Sequence, residues 1–205
     1  PNNGVTVTDK VVFQFAHALA RIGFTVKAVV DEVTASDKAL DANTTIVLKE
    51  VRLVNSSVNG NIAPAAGDFY QKGTLNLNNP VADISTSPAK ANWITKEGNQ
   101  YFTLANKHFV PEESDDDSSG FVINNTNSTK TNKLNKDDSY IMIIPRDFGN
   151  YDDDDQTNNT PLYVYVEYDV ITTDVNLQAG KSTVTNHITQ PISINFESGK
   201  AYTLN

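Results

Sequence analysis

Any reaction chemistry in this chain has to come from carboxylates, hydroxyls and three histidines, because its 205 residues include no cysteine. Thiolate zinc sites, iron–sulfur clusters, disulfides and cysteine nucleophiles are therefore excluded. The histidines His17, His108 and His187 are far apart in sequence, and none falls in an H-x-H or H-E-x-x-H spacing that would bring two ring nitrogens onto one metal ion. For His17 the expectation is a half-buried strand residue with one ring nitrogen satisfied by backbone. Asp147-Phe148-Gly149 spells a triplet that binds magnesium in kinases, but no partner loop accompanies it, and it reads as coincidence.

The acidic runs offer more. Asp115, Asp117 and Ser119 alternate as oxygen ligands do in a calcium loop, and Gly120 stands where the sharp turn is needed. The twelfth position of such a loop is Thr126, where a bidentate Glu is required. A solvated acidic loop is the better account, with calcium at Asp115, Asp117 and Ser119 as the alternative. Asp152, Asp154 and Gln156 form a second alternating set without a glycine. Two facing carboxylates could also serve a glycosidase, but these acids fall in polar loops that control neither position nor pKa. The expectation is a protein that is not an enzyme and has no cofactor and no resident metal. Trp93, Tyr70 and Tyr101 read as core aromatics before they read as a sugar-stacking platform.

The elements that would position these groups are strands. From Val11 to Val30 the apolar residues keep a period of two. Phe13, Phe15, His17 and Leu19 share one face; Ala16, Ala18, Ala20, Ile22, Phe24, Val26, Ala28 and Val30 share the other. A helix over Phe15–Ile22 competes on propensity, but Gly23 and the β-branched residues beyond it favour strand. Over Thr45–Val54 the apolar phase changes near Glu50, which predicts a bulge or two abutting strands. Leu162–Ile171 alternates cleanly, with Tyr163, Tyr165 and Glu167 opposite Leu162, Val164, Val166, Tyr168 and Val170. Shorter strands are predicted at 69–77, 93–94, 101–104, 140–144, 184–188, 192–196 and 201–204. Residues 111–134, acidic and then rich in Ser, Asn and Thr, predict a long loop that resists collapse.

Hydrophobic residues make up 39% of the chain and charged residues 20%, which fits a polar globular protein with a core. The net charge of −9 opposes binding to nucleic acid or an anionic membrane surface. No apolar run approaches the ~20 residues of a membrane-spanning helix. Short strands between Gly-, Asn- and Pro-rich turns predict an all-β antiparallel sandwich. A split into 1–110 and 111–205 would give two lobes; one elongated sandwich is the alternative.

Four segments carry a family resemblance. Phe13-Gln-Phe-Ala-His-Ala-Leu-Ala-Arg-Ile-Gly-Phe-Thr-Val resembles the opening of the fimbrillin-like proteins of Bacteroidales, the pilins of type V fimbriae. Ile141-Met-Ile-Ile-Pro with Leu162-Tyr-Val-Tyr-Val-Glu-Tyr-Asp-Val resembles the family's apolar-Pro strand and the Tyr-rich strand after it. Phe196-Glu-Ser-Gly-Lys-Ala-Tyr-Thr-Leu resembles its Gly-Lys-x-Tyr strand. The resemblance implies transthyretin-like or Ig-like sandwich domains and a structural or accessory role in a cell-surface pilus. It also implies head-to-tail strand exchange with other pilus subunits, and export to the cell surface by a signal peptide absent from this sequence. The family continues past its Gly-Lys-x-Tyr strand, so the expectation is that a C-terminal strand has been removed or that this is one module of a longer protein. Val11, Phe13, Phe15, Leu19 and Val26 become the groove or core candidates, and Tyr202 and Leu204 the exchange candidates. The alternative is an adhesin or carbohydrate-binding module that meets a host glycan or protein.

Overall fold

A computed structural model describes residues 17–28, 39–54, 57–58, 61–62, 69–76, 92–98, 100–105, 108–110, 120–149 and 162–205. In chain order the strands are β1 (Ala20–Val26), β2 (Thr44–Val54), β3 (Ser57–Val58), β4 (Asn61–Ile62), β5 (Lys72–Asn76), β6 (Asn92–Glu97), β7 (Phe102–Ala105) and β8 (Phe121–Ile123). They continue as β9 (Asn132–Lys133), β10 (Ile141–Ile143), β11 (Arg146–Phe148), β12 (Leu162–Thr173), β13 (Lys181–Ile192), β14 (Ile194–Phe196) and β15 (Ala201–Leu204). Among the described residues there is no α-helix, so the chain is all-β, as the alternation predicted.

Two sheets organise it. In the first, β1 runs between β10 and β15, and β9 also pairs with β1. In the second, the order is β13-β12-β2-β7, with β8 also on β2. The pairs β3–β4, β5–β6 and β11–β14 form smaller two-stranded sheets. Among the described residues every strand pairing is antiparallel except β1 with β15, which is parallel. Strands from early and late in the sequence therefore share both main sheets.

The phase read from the sequence holds in β1. Ala20, Ile22 and Phe24 are buried, and Val26 and Ala28 pack against the core beside them. Their partners across the interior come from the second sheet: Leu48, Val51 and Leu53 of β2, Leu104 of β7, Phe121 and Ile123 of β8, and Leu162 of β12. One buried cluster thus joins the inner faces of both sheets, the packing expected of a sandwich. Phe69, Phe148 and Phe196 close one side, with ring centroids 5.1 Å apart for Phe69–Phe148 and 6.0 Å for Phe148–Phe196.

The predicted irregularity in β2 is a bulge at Lys49. Tyr168 pairs with Leu48 and Glu167 with Glu50, so Lys49 has no residue opposite. The bulge falls between the two strands that share one edge of β2, β8 at 46–48 and β7 at 50–53. β1 divides its edge in the same way. It pairs with β10 at 20–22 and with β9 at 25–26, leaving Gly23 and Phe24 between them.

That gap explains the clearest departure from the sequence reading. The Ser/Asn/Thr tract from Asn124 to Asn135 was expected to resist collapse; instead it folds tightly against β1. Asn127, Ser128 and Asn135 are buried at 5%, 0% and 1% exposure. Asn135 Oδ1 accepts the Phe24 N–H at 2.9 Å, and the Leu134 N–H donates to the Phe24 carbonyl at 2.9 Å. Ser128 Oγ accepts the Leu40 N–H at 3.0 Å, and Asn127 Oδ1 accepts the Asn124 N–H at 2.8 Å. Low hydrophobicity did not prevent burial because each polar group is matched to a backbone group. Gly23 is fixed by the same packing: a Cβ there would lie 2.7 Å from the Tyr140 ring.

Other corrections are local. His17 is exposed and precedes β1, so it is not a half-buried strand residue. Asp147-Phe148 lies in β11, a strand not anticipated after Pro145, with Phe148 in the core.

Replacing Asn135 by Ala strands the buried Phe24 N–H and is expected to lower stability by ~1–3 kcal/mol. Replacing Ser139, whose hydroxyl bonds only at the surface, is expected to change it by less than ~0.5 kcal/mol. Urea unfolding of both variants checks the contrast.

Candidate functional site: an edge strand and an outward polar face

Four of the seven strand-exchange or groove candidates lie among the described residues and gather around β1. Leu19 is half-buried at its entrance, and its carbonyl accepts the Gly199 N–H at 3.0 Å. Val26 ends β1, opposite Asn132 of β9. Tyr202 lies beside Ile22 and Leu204 beside Phe24, in the parallel register of β15 on β1. Val11, Phe13 and Phe15 lie outside the described residues, as do the calcium candidates Asp115, Asp117 and Ser119.

β15 occupies an outer position of the first sheet, with β1 as its strand partner among the described residues. Its alternate residues Ala201 and Thr203 are exposed, whereas Tyr202 and Leu204 are half-buried and touch the core. Tyr202 is anchored at both ends. Its ring meets Phe196 edge-on at 4.9 Å, and its hydroxyl accepts the Glu197 N–H at 2.8 Å while donating to the Asn195 carbonyl at 2.9 Å. The turn before β15 is tied to the entrance of β1. Ser198 Oγ donates to the Ala18 carbonyl at 3.1 Å, and the Arg21 N–H donates to the Lys200 carbonyl at 3.0 Å. Trp93 Nε1 donates to the same Ala18 carbonyl at 3.0 Å, and its ring lies over Gly73. Trp93 is thus a half-buried structural clasp outside the core; Tyr70 is half-buried too and Tyr101 is 44% exposed, so none of the three is the core aromatic that the sequence reading expected.

A second cluster lies on the outward face of the five-stranded sheet, and sequence reasoning had singled out only its strand. Tyr165, Glu167 and Asp169 alternate outward along β12, as the period of two predicted. The bulge turns Lys49 and Glu50 to this face together. Arg52 forks onto Glu50, with Nε 2.6 Å and Nη2 2.5 Å from its oxygens. The Arg52 guanidinium lies 5.3 Å from the Tyr165 ring centre, and the His187 ring stacks near the same ring at 5.9 Å and 27°. Tyr165 donates to Glu167 Oε2 at 2.9 Å. Lys49 Nζ sits 3.2 Å from Asp169, which accepts from Thr185 Oγ1 at 2.7 Å.

The electrostatics follow from these contacts. Hydrogen bonding to Glu50 raises Arg52 above its usual value. Burial, then the bond to Glu167, pushes the Tyr165 phenol up. The Thr185 hydroxyl, and after it Lys49, hold the Asp169 carboxyl below the ordinary 3.8. The face is internally paired. It offers planar rings and fixed charges to a ligand but no poised nucleophile.

A shallow cleft of about 290 Å³ lies elsewhere, between Lys96, Pro145–Asp147 and Asn195–Ser198. Lys96 Nζ donates to the Pro145 carbonyl at 3.0 Å there, and Lys96 and Arg146 both approach the Tyr70 ring, at 5.6 and 5.0 Å. Among the described residues, no three His, Asp or Glu side chains converge as a metal site would need, and no helix is long and apolar enough to cross a membrane.

Asp169 gives a pH prediction whose sign is fixed. Its folded-state pKa lies below its unfolded value, so its stabilising contribution is present above that value and fades as pH falls through 3.8 and below. The Asp169→Asn variant is therefore expected to be less stable than wild type at neutral pH, with the difference shrinking below about pH 4. Thermal melts from neutral pH to about pH 2.5 measure it.

Comparison with protein-family models, with curated proteins and with solved structures returns no match to this chain.

Proposed function

We propose that this chain is a structural or accessory subunit of a cell-surface fimbria, joined to its neighbours by exchange of an edge strand rather than acting by turnover. The observation that carries this reading is the seat of β15. A four-residue edge strand covers Ile22 and Phe24, which are 0% and 4% exposed, while its own Tyr202 and Leu204 are only half-buried. A short strand that fills part of a core from a sheet edge is separable, and an extended segment of another subunit can take the same seat. Backbone hydrogen bonds to β1 would set its register, and alternate apolar side chains would fill the positions of Tyr202 and Leu204. Each Val- or Leu-sized side chain buried this way contributes ~1.5–3 kcal/mol before ordering costs. Contacts of this head-to-tail kind propagate as open filaments. The reading places the protein outside the cell, with other fimbrial subunits as partners, in keeping with the family resemblance of its four sequence segments.

A second reading, an adhesin or carbohydrate-binding module, is favoured by the outward Arg52–Tyr165–His187 stack. Aromatic rings flanked by fixed charges suit a sugar or a polar protein surface.

Concentrated wild-type protein is expected to give denaturant-resistant ladders on gels and filaments in negative stain. Leu204→Asp, which puts a charge where β15 meets the core, is expected to abolish both while keeping a β-type circular dichroism spectrum. Absence of ladders and filaments from wild type at all concentrations would reject the shaft-subunit reading. A reproducible glycan-array hit lost in Tyr165→Ala would support the second.

A further inference from the structure

A different edge of the molecule points to a partner of its own. β13 is bonded to β12 through twelve positions, from Ile192 opposite Leu162 to Lys181 opposite Thr173, and has no strand on its other side among the described residues. Long free edges are normally protected by charged side chains, because they template pairing with other chains. Here the run from Ser182 to Ile192 contains no Asp, Glu, Lys or Arg, in a chain of net charge −9. Two apolar side chains, Val184 and Ile188, are each 54% exposed on it, on the same face as Val166 and Val170 of β12.

The strand also fixes which backbone groups are free. Pro191 has no N–H, so its position in an intact ladder is one that faces away from β12. Thr189, His187, Thr185 and Thr183 share its parity, and their N–H and C=O groups point to the open edge.

We infer that β13 pairs antiparallel with the β13 of a second copy of this chain, about a two-fold axis at Asn186. This register places Thr185 opposite His187 and Thr183 opposite Thr189, matching open-edge donors with open-edge acceptors. It also sets Val184 opposite Ile188 twice, once on each side of an Asn186–Asn186 pair. Shifting the axis to Thr185 or His187 keeps the hydrogen bonds but loses both apolar pairs. A one-residue slip opposes the core face of one copy to the outward face of the other. Charge decides the choice of partner: a neutral edge is where two copies of an acidic protein can meet without direct repulsion. The contact is isologous, so it closes as a dimer and joins the two five-stranded sheets into one. It does not use β15; it engages the backbone of His187, whose ring stacks with Tyr165 on the outward face, and it holds whether or not the chain builds filaments.

A single strand pairing buries less than the ~1,200 Å² of a stable interface, so a dissociation constant above about 1 µM is expected. Sedimentation equilibrium over ~1 µM to ~1 mM should show monomer passing to dimer. Asn186→Lys, which sets two like charges face to face on the axis, should weaken the dimer at least about tenfold without lowering the monomer's melting temperature. The absence of cysteine supplies a second measurement that does not depend on that variant. Asn186→Cys should form a disulfide dimer under mild oxidation much faster than Val175→Cys, a residue 94% exposed at the β12–β13 turn. A monomer at ~1 mM, a dimer unaffected by Asn186→Lys, or equal crosslinking at both cysteines would each overturn the inference. Loss of filaments in Leu204→Asp with the dimer intact would separate this contact from the β15 seat.

Discussion

The hydrogen bond from the Phe24 N–H to Asn135 Oδ1 is the constraint around which this sandwich is arranged. β1 is the central strand of the first sheet, and it changes neighbour halfway, from β10 to β9. At the change a buried N–H would be left without a partner, which costs about as much as several good packing contacts contribute. Asn135 fills that position, and Leu134 takes the matching carbonyl. The loop carrying both is held in turn by Asn124, Asn127 and Ser128, whose side chains bond backbone groups of Thr126, Asn124, Val122 and Leu40. The result is a polar clasp packed against an apolar strand, with Gly23 left bare so that Tyr140 can lie across it.

The second sheet meets the same difficulty with backbone geometry. β2 also serves two successive neighbours along one edge, and its bulge at Lys49 absorbs the change of register. The bulge has a consequence at the surface, because it turns Lys49 and Glu50 together to the outward face. Lys49 then reaches Asp169, and Glu50 orients Arg52 beside Tyr165. One irregularity thus both ends a pairing and assembles the paired charges of the outward face. Among the described residues the two sheets leave edges of two kinds, the short strand β15 that completes the core and the long strand β13, uncharged from Ser182 to Ile192.

How much of this was legible depends on whether a residue's role is set by period or by partner. The inward residues Ala20, Ile22 and Phe24, and the opposed faces of β12, follow from alternation, because a strand with one buried face must place apolar residues two apart. The phase change in β2 was visible for the same reason. The burial of Asn127, Ser128 and Asn135 was not, since nothing local distinguishes an Asn that solvates a loop from one that satisfies a distant N–H. Phe24 and Asn135 are 111 residues apart in sequence. Nor did a single apolar residue beside Asp147 announce β11, for one Phe in a polar run has no period to read.

By itself the amino-acid sequence determined that the chain is all-β, which face of each long strand turns inward, and that thiol chemistry is absent. These are consequences of residue type and spacing, which act over a few residues. Only the tertiary structure decided that β15 lies parallel to β1, that His187 stacks with Tyr165, and that β13 has β12 as its one strand neighbour among the described residues. Strand order and adjacency arise from contacts between segments far apart along the chain, and no local pattern of side chains encodes which neighbour a strand will meet.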